Sequence, residues 1–323
     1  MKFIDMHCDT LMWAYFEGQK DICQTPVMLD IKRMKSAGQL AQFFAIFMWS
    51  PEVKEHTGHE KPNDEEYIDT CIQIFHNSIS LAGGTIAPAY NFTDIIENEK
   101  NGKMSGLLTL EDGRAINGKM DNLKKYYDAG IRLISLTWNH VNCFGTPNSS
   151  ASEIMKQGLS TFGKEALEYM NDLGIIIDVS HLSDGSFMDV ATLSRKPFVA
   201  SHSNCRALSP HQRNLTDDMI KLLANKGGVS GINFAPAFLN QDTTHNDSTV
   251  ELMVKHINHF VNVGGIECVC LGSDFDGIEG TLEVSSPEKI SLIWDALSKA
   301  GYHDAQIEKI AYQNALRIIK DTL

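Results

Sequence analysis

Eight short apolar runs, separated by longer stretches of helical character, constrain this chain most. They cover residues 3–6, 40–47, 107–110, 131–136, 174–179, 197–201, 228–234 and 268–272. Several are nearly continuous in Ile, Val, Leu and Phe, the pattern of parallel strands covered on both faces. The intervening segments 28–37, 64–81, 120–129, 161–173, 185–193, 216–225, 249–263, 288–300 and 304–312 can carry helices. Thr216, followed by Asp217 and Asp218, reads as a helix start. Gly38 and Gly174 sit where helices should stop before a strand. Eight strands alternating with helices predict a (β/α)8 TIM barrel, with an open doubly wound sheet as the alternative. The 323 residues exceed the roughly 250 typical of such a barrel. Enlarged loops are therefore expected at 49–64, 90–104, 139–156 and 235–247. No Pro-, Gly- or Ser-rich linker divides the chain, so residues 1–323 are expected to form a single domain.

The chemistry is concentrated at the ends of those runs. His7 and Asp9 follow the first, two apart, so an extended backbone points both to one side. Glu111, His181, His202 and Asp274 each follow a different later run. A barrel gathers such strand ends into one ring around its catalytic face. Imidazole and carboxylate converging there suit zinc or another divalent ion. Two adjacent metals need a bridge, and Glu111 can give one oxygen to each. His7 and Asp9 would complete one ligand set, His181 and His202 the other, leaving room for a water whose pKa the metals lower. Asp274 would take that water's proton and pass it to a leaving group. Each residue also has a bland reading. Asp9 could cap a helix beginning at Thr10, Glu111 could belong to a turn, Asp274 or Asp276 to an Asx turn, and His181 and His202 could be core histidines. Their coincidence at successive strand ends favours a shared site.

A substrate carboxylate would call for a guanidinium. Arg206 and Arg213 both lie in the loop after His202, and the residues alone do not choose between them. Competing chemistries are weak. There is no phosphate-cradling glycine motif and no GxSxG elbow, and Cys8 should face away from His7. Trp49, His56, His59 and the Lys255–His256 pair read as loop or exposed helix residues.

Asp plus Glu number 41 against 28 Lys plus Arg, a formal charge of -13. Such a field repels phosphate, so neither nucleic acid nor an anionic membrane is an expected partner. Seven cysteines without a CxxC pair favour a reducing compartment. Cys268 and Cys270 are expected on one face of a strand. Asp5, His7 and Asp9 interrupt the start too early for an export signal. The expected location is cytoplasmic.

These residues resemble the membrane (renal) dipeptidase family of amidohydrolase-like barrels. The likeness rests on His7-x-Asp9, Leu108-Thr109-Leu110-Glu111, Leu136-Thr137-Trp138-Asn139, Asp178-Val179-Ser180-His181-Leu182-Ser183-Asp184, Ser201-His202-Ser203, Arg213-Asn214 and Gly272-Ser273-Asp274-Phe275-Asp276-Gly277. It covers almost the whole chain, in family order. The resemblance implies a zinc-dependent dipeptidase with two Zn2+ per chain that tolerates a D-residue on the C-terminal side. It matches His7, Asp9, Glu111, His181 and His202 to the metal ligands, Asp274 to the acid/base and Arg213 to the carboxylate holder. Family members are often dimers, so a homodimer is compatible with it. Trp138 stands where the animal enzymes carry a histidine that polarises the scissile carbonyl, and His140 is the expected substitute for binding substrate. The alternatives are another binuclear hydrolase, acting on cyclic amides, esters or phosphoesters, or a non-catalytic metal-binding barrel.

Overall fold

The computed structural model describes residues 1–50, 58–242 and 244–323. Its strands are β1 (Phe3–Asp5), β2 (Gln39–Phe47), β3 (Ile86–Pro88), β4 (Met104–Glu111), β5 (Ile131–Ser135), β6 (Ile176–Asp178), β7 (Val199–Ala200), β8 (Val229–Ile232), β9 (Asp247–Ser248), β10 (Val269–Leu271) and β11 (Thr281–Leu282). Parallel pairing runs β1–β2–β4–β5–β6–β7–β8–β10 and returns from β10 to β1. This closed ring of eight strands is a (β/α)8 barrel, and each of the eight apolar runs supplies one of its strands.

Alternation sorts the strand side chains into two layers. Ile4, Phe43, Leu107, Leu133, Ile176, Val199, Val229 and Cys270 form one buried cluster, the barrel interior. Phe3, Phe44, Leu108, Ile134, Ile177, Ala200 and Leu271 pack outward against the helices. Cys270 and Cys268 therefore part company. Cys268 closes a 3-10 turn, Ile266–Cys268, before β10 begins, and it joins the outer layer. Gly231 on β8 and Gly272 after β10 let the barrel narrow. A Cβ on either would lie 2.0 or 1.8 Å from the Ser201 carbonyl oxygen.

The helix Asn314–Thr322 closes the barrel's lower end. Ala315, Ile318 and Ile319 join the interior cluster. Lys196 Nζ donates to the Thr322 carbonyl at 2.7 Å, and Arg317 donates to the carbonyls of Glu267, at 2.9 Å, and Gly227. These partners precede β7, β10 and β8, so the helix lies at the strands' N-terminal ends. The opposite mouth is left for chemistry.

The helices fall close to the expected segments. Asp64–Leu81 and Thr161–Leu173 match in full. Thr216 caps Asp217–Asn225 by accepting from Met219 N, and Gly174 ends its helix at φ 79°. The segment 90–104 is not a loop. It holds the helix Phe92–Lys100, capped by Asn91, which with β3 forms an extra unit between barrel strands β2 and β4. Residues 51–57, including His56, lie outside the described residues. Trp49 and His256 are buried rather than exposed. Among the described residues no helix is long and apolar enough to cross a membrane.

Truncating Ile318 to Ala would open a void under the barrel without touching its upper mouth. Urea unfolding should show a loss of about 2–5 kcal/mol, while turnover by the folded fraction stays at the wild-type level.

Candidate metal centre and active site

Glu111 ends β4 at the close of a seven-residue ladder with β2, where it pairs with Phe47. Its two carboxylate oxygens face different partners. Oε2 lies 3.1 Å from His7 Nε2. Oε1 lies 3.0 Å from His181 Nε2 and 3.6 Å from His202 Nε2. Asp9 Oδ2 is 3.3 Å from His7 Nε2, and Asp274 Oδ1 is 3.7 Å from the same atom. The barrel thus brings together all six residues expected from the strand ends. They form overlapping triads, His7–Asp9–Glu111, Glu111–His181–His202 and His7–His202–Asp274, each with ligand atoms within 4.8 Å of one another.

These donors fit a divalent cation better than they fit each other. His7 Nδ1 and Nε2, Asp9 Oδ1 and Glu111 Oε2 are buried without a hydrogen-bond partner. His181 Nε2 and His202 Nε2 face each other across 3.1 Å. Buried polar atoms without partners are costly in a native structure, and Lewis bases converging on one point call for a cation. Asp9 occupies the N-cap position of the helix Thr10–Phe16, yet its carboxylate makes no cap bond and turns into the site.

Protonation preferences follow from burial and charge. Burial pushes His7 down, but Glu111 and Asp9 outweigh it and raise the imidazole well above its usual value. Burial raises Glu111, but the neighbouring imidazoles, His7 foremost, hold it well below the carboxylate range. Burial, then the Arg213 charge, brings His181 down to about 4. Burial, then His7, takes His202 well below its usual value. Glu111 is therefore ionised and both histidines are neutral, the states in which each binds metal. Burial raises Asp274.

His181 and Asp274 have φ of 73° and 66°, in the left-handed region. Asn148 steadies the first, donating from its backbone N at 2.6 Å and from Nδ2 at 3.1 Å to the His181 carbonyl. Gly277 closes over the second. A Cβ there would stand 2.1 Å from Asp9 Oδ2 and 2.8 Å from Asp274 Oδ1. Asp276, the second acid of the same motif, serves elsewhere, accepting from Thr10 Oγ1 at 2.5 Å and from Met28 N at 2.6 Å.

The two loop arginines separate. Arg206 is committed to a two-bond pair with Asp184, each bond 2.8 Å. Arg213 is buried beside the cluster, donating to Ser203 Oγ at 3.1 Å and the His202 carbonyl at 3.3 Å. Its Nε has no partner. Among the described residues it has no carboxylate in ion-pair reach, although burial lowers it only to about 10, so it stays charged. Arg213 and five of the six clustered residues, all but His7, line one cavity of about 740 Å3, walled also by Phe47, Trp138, Asn139 and Phe238.

The structure does not bring His140 to that cavity. After Thr137 the chain bends, and His140 is exposed, its ring 6.1 Å from Trp138. Trp138 and Asn139 line the wall instead, with Asn139 Oδ1 3.4 Å from His181 Nδ1. Asn233, which follows β8, was not among the expected site residues. Its Nδ2 donates to Asp274 Oδ2 at 2.8 Å and to the His202 carbonyl at 3.3 Å. The strand-end rule that finds the ligands also points to Asn233.

Fold and site together define a metal-dependent hydrolase barrel with a cationic anchor beside its ligand cluster. The family model for membrane dipeptidases, peptidase family M19, matches residues 1–323, and the chain belongs to that family of metal-dependent dipeptidases. It is 32% identical over 254 residues to a Klebsiella pneumoniae protein encoded in the pqqA 5′ region, covering 77% of this chain and 94% of that one. It is 35% identical over 225 residues to a Schizosaccharomyces pombe dipeptidase, covering 69% of this chain and 54% of that protein. A Rhodobacter sphaeroides metallopeptidase, solved with a phosphinate mimic of L-Ala-D-Ala, superposes with a TM-score of 0.88 at 25% identity. It covers 100% of this chain and 99% of its own.

Two outcomes follow from the site and its supports. Gly277→Ala would force Asp9 and Asp274 apart, and a displacement near 1 Å should lower turnover about 10²-fold while circular dichroism stays native. His256 braces the loop that carries Arg213, accepting from Cys205 N at 3.1 Å and donating to the Leu239 carbonyl at 3.0 Å. Burial brings it from 6.5 to about 4. Between those values the unfolded chain binds the proton and the folded one does not. The stabilisation is thus full above pH 6.5 and is lost as pH falls toward 4, by up to about 3 kcal/mol. Urea titrations across that range should show a shallower pH slope for His256→Gln.

Proposed function

We propose that the chain hydrolyses the peptide bond of dipeptides carrying a free C-terminal carboxylate, including those with a D-residue at that end. The observation that carries the reading is Arg213, a buried guanidinium with an unpartnered Nε and, among the described residues, no carboxylate in ion-pair reach, opening into the same cavity as the ligand cluster. A substrate carboxylate would complete it through two parallel charge-assisted bonds. The L-Ala-D-Ala mimic bound by the Rhodobacter protein supports both the dipeptide length and the tolerance of a D-residue.

In this reading His7 and Asp9 would hold one zinc and His181 and His202 a second, with Glu111 shared between the two sets. Zinc bound there supplies Lewis acidity and makes water a nucleophile near neutral pH. The chain's own residues do the rest. Arg213 anchors the carboxylate end and sets the distance of the scissile bond from the cluster. Asn233 occupies Asp274 Oδ2 and leaves Oδ1 turned toward His7. From there Oδ1 takes the proton of the attacking water and returns it to the departing amine. Burial raises the Asp274 carboxyl, which suits a group that must both accept and release a proton. Seven unpaired cysteines support action in a reducing compartment such as the cytoplasm.

The test is a panel of L,L- and L,D-dipeptides, each offered as free acid and as C-terminal amide. Turnover of the free acids should vanish on chelation and return with zinc, and the amides should be poor substrates. Removing one partner of a buried charge pair costs about 2–5 kcal/mol. Arg213→Met should therefore lower kcat/KM for the free acids by about 10²-fold or more and barely alter the already slow amides. Equal turnover of acid and amide by the wild type would point instead to a hydrolase of another amide or ester class.

A further inference from the structure

We propose that Asp178 and Ser201 are positioning residues that fix the tautomer of His202 and so hold its Nε2 lone pair toward the metal centre. This rests on the reading of His202 as a metal ligand. Asp178 ends β6 and is fully buried. Its Oδ1 accepts two backbone N–H groups, Ser180 N at 3.0 Å and Ser201 N at 2.8 Å. Its Oδ2 lies 2.5 Å from Ser135 Oγ and 2.6 Å from Ser201 Oγ. A carboxylate can only accept, so the single Ser201 hydroxyl proton points at Asp178. Ser201 Oγ also lies 2.7 Å from His202 Nδ1. With its proton committed, Ser201 can only accept there, and Nδ1 must carry the ring proton. Nε2 is then a lone pair, aimed at the point where His181 Nε2 stands 3.1 Å away and Glu111 Oε1 3.6 Å away. The second hydroxyl of the motif is consistent with this order. Ser180 Oγ accepts from His202 N at 3.2 Å and lies 3.3 Å from Ser201 Oγ, which has a lone pair left to receive its proton.

Asp178→Asn reverses the chain of donors at constant shape. The backbone N–H groups keep the amide oxygen on the Oδ1 side, so the NH2 group faces both serines. Ser201 is then free to donate, and His202 Nδ1 at 2.7 Å is nearer than Ser180 Oγ at 3.3 Å, so its proton goes to Nδ1 and the ring proton moves to Nε2. The full-length chain, labelled with 15N-histidine and stripped of metal, reads this directly by long-range 1H–15N NMR, with the His202 signals assigned through His202→Asn. The wild type should show protonated Nδ1, and Asp178→Asn protonated Nε2. In the zinc-loaded protein, chelator competition should find one of two zinc equivalents bound about 10- to 100-fold more weakly in Asp178→Asn. Ser201→Ala should lose the tautomer preference. Ser135→Ala, which removes a bond to the same carboxylate without touching the histidine, should keep it.

A wild-type His202 protonated at Nε2 overturns the proposal without recourse to any variant, and so does an Asp178→Asn chain that folds and keeps the Nδ1 proton. A wild type with protonated Nδ1 that takes up no zinc would support the positioning role and sink the metal reading.

Discussion

The upper mouth of this barrel is organised around one desolvated carboxylate whose two oxygens serve different neighbours. Glu111 meets His7 through Oε2 and His181 and His202 through Oε1. An ionised carboxylate buried away from water is tolerated only when positive charge or donors surround it. Here the surrounding atoms are mostly further Lewis bases, so the arrangement calls for a divalent cation. The β2–β4 ladder is the longest in the barrel, and Glu111 stands at its last rung. The residue that needs the firmest placement has the most extended backbone support.

The ring of strand ends does not by itself point six side chains at one spot. Part of the convergence is obtained by forcing non-glycine residues into the left-handed region, at His181 and Asp274, and the neighbouring Asp276 shares that conformation. Each such residue costs of order 1–3 kcal/mol and persists only where its surroundings over-determine it. Those surroundings are visible. Two donors from Asn148 hold the His181 carbonyl, Asp274 N donates to the His7 carbonyl at 3.2 Å, and Asp276 is tied to Thr10 and Met28. Buried Asp5 links the first and last barrel strands in the same way, accepting from Ser273 N at 2.8 Å and Ser273 Oγ at 2.6 Å. Carboxylates one step back from the ligands thus fasten the strand ends that present them.

Periodicity and strand-end chemistry made the barrel and the six residues gathered at its mouth legible, because both depend on local pattern. Short elements without an apolar run were not legible. β9 and β11 are two-residue strands, Asp247–Ser248 and Thr281–Leu282, that exist only because two distant loops meet. The choice between Arg206 and Arg213 was likewise tertiary, since it turns on Asp184 reaching Arg206. His140 lies off the cavity wall, and two residues of spacing cannot say which way a bend carries a side chain. His256 failed because its neighbour Lys255 suggested an exposed face, whereas its ring fills the space beneath the loop that carries Arg213. The cap signal of Asn91 was present in the sequence and would have marked the helix in segment 90–104.

The pairing of β9 with β11 joins the loops that follow β8 and β10 into one wall of the cavity. Thr281 N donates to the Asn246 carbonyl at 2.8 Å, Glu283 N to the Ser248 carbonyl at 2.9 Å, and Val250 N to Glu283 Oε2 at 2.8 Å. Gly280 lies so close that a Cβ there would be 2.6 Å from Pro236 and 2.7 Å from the Asn246 carbonyl. The same wall carries Phe238, whose ring lies 5.3 Å from the Arg213 guanidinium. Arg213 therefore rests against a surface already fastened at both ends. The ligand cluster on the other side is fixed by the barrel. Segments already paired in this way would cost a substrate little binding energy to order. In the proposed reading the fixed separation of Arg213 and the cluster would select peptide length, since a longer chain would have to displace a wall stitched by backbone hydrogen bonds.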